Sequence, residues 1–552
     1  MSSFTRRDFV KGAAALTASG AVGCTAKFAC EGKASSPNYW CTWATQGKML
    51  ESYKTSGGIK FAGDQGIVGI RENLNEHVLF RKDLGWARAL YPESRGDLNL
   101  LLDDGWDVGF GLNPWRDCAK FGSMILREER FPSFKGSPEQ RLKTLVNKVK
   151  DLGWRGLGLW VAPQMTGESW VKLLPFAEVK EDLRRKIGWC AEAGVSYLKV
   201  DWGARDGDIA YRKLMSSFAK ELAPDMVVEH CRTLGIPING VSKVTKNGAE
   251  RIVIGNGRWE GDGAFDKRVR YHAEQILQFS DSFRIYDMVE PLFVIQAVER
   301  AQVLMRMAEK VGGYSHINVE DVPYLAASLA MAMGVMRANI WPKRESDVVC
   351  RCERAGEVAR AVAWQRLAPP CRSSRSFPTR RSDATLTDEW TFRASDTWYS
   401  AVHGLTIPQT APAVTVRGEV PFPEVADAGE GVPLVTAMRH PNGALAIAAL
   451  ARVSKSKGYF TPAASVRFPV DAADCPVGVF GRFKTLVLLS RRDPSEVLVR
   501  DLAGGRVHDI RKACKVEKAG ELFEVTLPGE LLEKIGREAI GDLSAPGALV
   551  HI

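Results

Sequence analysis

Tyr197-Leu198-Lys199-Val200-Asp201-Trp202-Gly203 is the stretch on which the fold turns. It reads as an apolar strand that ends in a carboxylate, and the two-residue period places the Lys199 and Asp201 side chains on one face. If that face is the inside of a barrel, the ammonium favours the ionised carboxylate, and an anionic Asp at a strand end is suited to act as a nucleophile.

The same pattern recurs on both sides of it. Short apolar runs at Tyr39–Trp43, Asn99–Asp103, Gly156–Ala162, Met226–Cys231, Ser282–Tyr286, Tyr314–Val319 and Val335–Trp341 are separated by longer segments of helical period. Within Pro138–Leu152, for example, Leu142, Leu145, Val146 and Val149 fall on one face, and Leu183–Ala193 reads as a second helix. Strands alternating with helices in this number predict an α/β fold, a (β/α)8 TIM barrel whose site lies at the carboxyl ends of the strands. The connection Arg232–Gln278 is too long for an ordinary loop and predicts an excursion over the mouth. Val322–Met336 is rich in Ala and Met and reads as a buried helix.

Two other strand ends repeat the chemistry. Leu100-Leu101-Leu102-Asp103-Asp104-Gly105-Trp106 closes on adjacent acids that can accept hydrogen bonds from neighbouring hydroxyls, and Ser282-Phe283-Arg284-Ile285-Tyr286-Asp287 places a further carboxylate. Trp106, Trp160 and Trp202 are candidates for a sugar-stacking rim. Glu229-His230-Cys231 raises the question of a metal, but one His and one Cys without a second cluster make a poor site in a chain with eight histidines. His230 is read instead as a substrate-binding residue that hydrogen-bonds to sugar or to neighbouring acids, and no metal site is assigned.

Taken together, the segments LLLDDGW, GLGLW (Gly156–Trp160), YLKVDWG and SFRIYD resemble the clan D retaining glycoside hydrolases, in particular the melibiase-like α-galactosidases of families 27 and 36, over Tyr39–Trp341. The resemblance implies Asp201 as nucleophile and Asp287 as acid/base with Arg284 beside it. It also implies that Lys199 binds sugar hydroxyls, that Asp103 and Asp104 grip the hydroxyls at C4 and C6, and that Trp43 stacks on the sugar. The reaction it implies is a cofactor-free double displacement, which would place the carboxylates about 5 to 5.5 Å apart. The Arg284–Asp287 spacing is one residue shorter than the family's, and Gln164 stands where family 36 members often carry Glu. A catalytically silent carbohydrate-binding barrel and a metal-dependent amidohydrolase or deacetylase are the alternatives.

Composition bounds the rest. The 552 residues, 45% hydrophobic and 25% charged, exclude a mainly disordered, collagen-like or coiled-coil chain, and eleven cysteines are too dilute for a disulfide scaffold. The net charge of +10 is concentrated in Arg6, Arg7 and Lys11 and in Arg366, Arg372, Arg375, Arg380 and Arg381. That leaves no basic stripe for nucleic acid.

Residues 1–35 read as an export signal and tether. Thr5-Arg6-Arg7-Asp8-Phe9-Val10-Lys11 followed by a short small-residue run resembles a twin-arginine signal, and Ala21-Val22-Gly23-Cys24 is similar to a lipobox that would acylate Cys24. A periplasmic or cell-surface location follows, with no transmembrane segment expected. The catalytic barrel is assigned to 36–367, a linker or long loop to 368–388, and an antiparallel β-sandwich to 389–552. The expected partner is a carbohydrate substrate, and no oligomer interface is read from the sequence.

Overall fold

The structure, a computed structural model, describes residues 36–48, 69–82, 85–113, 116–167, 172–232, 241–246, 249–254, 264–285, 292–337, 354–393, 404–429, 431–472 and 475–552. The signal region with Cys24 lies outside them, as does Asp287.

The barrel strands are β1 (Tyr39–Cys41), β2 (Asn99–Leu102), β3 (Gly156–Val161), β4 (Tyr197–Val200), β5 (Val227–Arg232), β8 (Ser282–Ile285), β9 (His316–Glu320) and β10 (Ala332–Val335). A hairpin, β6 (Val241–Lys246) and β7 (Ala249–Ile254), stands between the fifth and sixth of them. Every neighbouring pair is parallel, and β10 closes on β1, so the sheet has no edge.

The two-residue period sorts the side chains. Trp40, Leu100, Leu102, Leu157, Leu159, Leu198, Val200, Val228 and Phe283 point outward into the large apolar core with the helices. Tyr39, Cys41, Leu101, Trp160 and Tyr197 point inward and form a separate cluster. The interior is tight: a Cβ on Gly334 would sit 2.7 Å from the Tyr39 hydroxyl and 2.8 Å from Glu320 Cγ, so only glycine fits.

The outer layer contains α1 (Pro138–Asp151), α2 (Phe176–Ala193), α3 (Ile209–Leu222), α4 (Ala264–Ile276), α5 (Phe293–Val311), α6 (Pro323–Ser328) and α7 (Ala355–Leu367). The start of α1 is set by Pro138 at its first position and by the Gln140 side chain, which accepts from the Ser137 backbone N–H at 3.0 Å. Leu142, Leu145, Val146 and Val149 are its buried residues, each contributing about 1.5–3 kcal/mol of apolar burial.

Four expectations are corrected. Val322–Met336 is not one helix: α6 ends at Ser328, Ala330 takes a positive φ of 49°, and Ala332–Val335 becomes the last barrel strand. That strand also lies earlier than the expected Val335–Trp341. Periodicity could not separate a buried helix from a buried strand in so uniformly apolar a run.

The segment 368–388 is not merely a linker. Thr379–Arg381 pairs with Val414–Arg417, and Thr385–Thr391 with Thr406–Pro412. Thr379–Arg381 is the outermost strand of its sheet, where charged side chains are tolerated. The carboxyl-terminal sheets, of eight and five strands, are mixed and not purely antiparallel: Val414–Arg417 runs parallel to Leu434–Arg439, and Ala464–Asp471 parallel to Phe483–Ser490.

Barrel and sandwich are joined by buried contacts. Arg360 is bidentate to Asp501 with both bonds at 2.9 Å, and Arg417 donates to the carbonyls of Leu329 and Ala330. Among the described residues no helix is long and apolar enough to cross a membrane. The described cysteines are all free thiols.

Candidate active site

The carboxyl ends of the barrel strands carry a dense polar lattice. Asp201 follows β4 and is buried; its Oδ2 accepts from Trp160 Nε1 at 2.8 Å and lies 4.0 Å from Arg284 Nη2, while Oδ1 accepts no hydrogen bond. Burial pushes the Asp201 carboxyl above its ordinary range, and Lys199 and Arg284 pull the other way. The expected anion-favouring effect of Lys199 is therefore present but outweighed.

Lys199 does face the interior, where it pairs with Asp103. Its Nζ donates to Asp103 Oδ2 at 2.6 Å, beside Cys41 Sγ at 2.9 Å from the same oxygen. Burial raises the Asp103 carboxyl, but the Lys199 ammonium and the hydrogen bonds to it leave it below the usual range. Asp104 is clamped by Arg71, with Nε at 2.7 Å and Nη2 at 2.6 Å. Its carboxyl is nonetheless raised, because burial exceeds the effect of that guanidinium. Both acids expected to grip sugar hydroxyls are thus already held in ion pairs, with remaining lone pairs as their capacity for a ligand.

Arg284, on β8, is buried in the barrel interior. Its Nε donates to Glu229 Oε1 at 3.1 Å and its Nη1 to Glu320 Oε2 at 2.9 Å. Glu229 also accepts from Tyr197 at 2.9 Å, from Ser282 at 3.2 Å and from Asn318. The Tyr39 hydroxyl lies between Glu229 Oε1 at 3.2 Å and Glu320 Oε1 at 2.8 Å. A carboxylate with this many donors is a rigid anchor, and it fixes where the guanidinium points.

Two of the expected binding residues face elsewhere. His230 alternates with Glu229 and Cys231 and therefore points outward: its ring nitrogens meet Arg212 Nη1 at 3.1 Å and Ser216 Oγ at 2.9 Å. Burial, with Arg212 adding to it, keeps it neutral. Trp106 is buried in the helix-facing core and donates to the Trp160 carbonyl at 2.8 Å, so it is not part of a rim. Trp160 lies inside the barrel, 5.9 Å from the Trp202 ring; Trp43 and Trp202, both half-buried, pack on the top of the interior cluster.

Glu320 and Arg71 were missed. Glu320 obeys the strand-end rule that found Asp103 and Asp201, but the expected strand stopped at Val319. Arg71 reaches Asp104 from outside the strands and leaves no sequence signal. Among the described residues no group of three or more His, Cys, Asp and Glu side chains is arranged to hold a metal.

Fold and site define a closed (β/α)8 barrel with an acid-lined mouth and an accessory β-sandwich. No protein-family model and no curated protein matches the sequence. Among solved structures it is similar to a GH27 β-L-arabinopyranosidase from Geobacillus stearothermophilus, with 8% identity, 84% of this chain and 90% of that one covered, and a TM-score of 0.37. It is also similar to an α-galactosidase from Saccharomyces cerevisiae solved with raffinose, with 9% identity, 94% and 97% covered, and a TM-score of 0.36.

Proposed function

We propose that the chain is an exported retaining α-glycosidase, α-galactosidase-like, that removes terminal α-linked galactose or a related sugar from oligo- or polysaccharide. The observation that carries the reading is Asp201: one oxygen is held by Trp160 and the other is left without a donor, and Lys199 and Arg284 partly offset the burial that raises its carboxyl. Export rests on the signal-like residues 1–35.

In the first step Asp201 Oδ1 attacks the anomeric carbon, the glycosidic bond breaks, and a protonated acid gives its proton to the departing oxygen. In the second step the same acid removes a proton from water, which displaces Asp201 and releases the sugar. The resemblance of Ser282-Phe283-Arg284-Ile285-Tyr286-Asp287 to the family segment assigns that acid to Asp287. Arg284 and Lys199 balance the charge on Asp201 as it is consumed and regenerated. Asp103 and Asp104 use their remaining lone pairs on sugar hydroxyls.

The test is turnover of p-nitrophenyl α-galactoside by the wild type and by Asp201→Asn, with the anomer of the first product read by NMR. Loss of turnover on the order of 10³-fold or more in the variant, with α-galactose formed first by the wild type, supports the proposal. Ligand binding without turnover in either protein replaces it with a carbohydrate-binding barrel, and chelator-sensitive deacylation replaces it with a metal hydrolase.

A further inference from the structure

A cavity of about 440 Å³ lies outside the barrel interior, between the loops that follow β2 and β3 and the outer face of α2. Phe121 lines it and also lies 5.0 Å from the guanidinium of Arg71, so the cavity adjoins the Asp104 pair. Its lining cations are Lys120, Arg127, Arg185 and Lys186, against Asp182 as the lining acid. Asp182 pairs with Lys186 at 2.6 Å and with Arg185, and Lys120 pairs with Asp117 at 3.1 Å outside the lining. Positive charge therefore remains in excess along this wall.

One further feature is unusual for a surface hollow. Trp189 forms part of the wall, with the Arg185 guanidinium 5.7 Å from its ring.

We propose that this cavity is a subsite for an anionic saccharide unit, one carrying a sulfate ester or a carboxylate, next to the sugar held at the barrel mouth. The aromatic faces suit the C–H side of a pyranose, and the excess of cations suits the anionic substituent. The inference rests on the glycosidase reading for its saccharide chemistry, and its test reads binding alone, so the two can fail separately.

Calorimetric titration of the full chain with a sulfated galactan oligosaccharide, a uronate oligosaccharide and a neutral galacto-oligosaccharide of equal length decides it. The expected result is at least ten-fold tighter binding of one or both acidic ligands than of the neutral one; which acid binds names the source. That preference should shrink as salt is raised, and should fall by about ten-fold in Arg185→Glu and in Arg127→Glu. Equal affinity for acidic and neutral ligands, or a preference untouched by both charge reversals, overturns the proposal. Acidic binding in a protein that cleaves no glycoside would overturn the proposed activity and leave the subsite standing.

Discussion

The indole N–H of Trp160 on β3 donates to Asp201 Oδ2 at the end of the neighbouring strand β4 at 2.8 Å, and this bond orients the carboxylate that the proposed mechanism uses. It stabilises the ionised form against a burial that pushes Asp201 upward. Trp160→Phe keeps most of the volume and removes the donor. The Asp201 pKa should rise further, so the acidic limb of the kcat/KM profile moves to higher pH, and kcat at its optimum falls by roughly ten-fold or more, the worth of a hydrogen bond to a charged group. A pH–rate profile that overlays that of the wild type would refute this role.

Lys199→Met leaves Asp103 buried without its cation. A cost of about 3–5 kcal/mol at pH 7 is expected in denaturant unfolding, the scale for breaking a buried pair. The sign with pH follows from the depressed Asp103 carboxyl: in the wild type its contribution is present above the ordinary carboxylate pKa and is lost as pH falls through the lowered value. In the variant burial is no longer offset, so stability should instead fall as pH rises. Unfolding curves at several pH values check both slopes.

Asp107 is fully buried, with Oδ2 accepting from Met124 N–H at 3.0 Å and its carboxyl pushed up by burial to about 6. A carboxyl raised in the folded state contributes stability below its unfolded pKa and loses it as pH rises through the folded value. The wild type should therefore lose roughly 3 kcal/mol from this group between about pH 4 and pH 7. Asp107→Asn keeps an acceptor for Met124 and should be flatter over that window. Parallel pH slopes for the two proteins would refute it.

Asp287 and Glu320 can be told apart by rescue. In Asp287→Asn an aryl glycoside with a good leaving group should still form the glycosyl-enzyme, and azide, which needs no base, should accelerate its breakdown and yield a glycosyl azide. Glu320→Gln should lose activity through a displaced Arg284, with no azide effect. Azide rescue of Glu320→Gln instead would transfer the acid/base role to Glu320.

Much of the barrel could be read from alternation. Lys199 and Asp201, two apart, do share the interior face, and Leu142, Leu145, Val146 and Val149 do share one helical face. The reading failed where period carries no information: Val322–Met336 is apolar throughout, so its division at Ala330 was invisible, and the charged strand Thr379–Arg381 reads as loop because an edge strand need not be apolar. His230 was misassigned although the two-residue period that turned Glu229 inward also turned its neighbour outward.

Local covalent geometry ties side-chain direction to strand position, so the chain itself settled that acids stand at the ends of β2 and β4 and on which face. Partners were settled only by closure of the sheet, which brings residues far apart in sequence within hydrogen-bonding distance inside a dry interior. Lys199 thereby reached Asp103 at 2.6 Å, Arg71 reached Asp104, and Arg284 came to lie among Glu229, Glu320 and Asp201. Away from water each charge is governed by its nearest counter-charge and its burial, and both are properties of the assembled barrel.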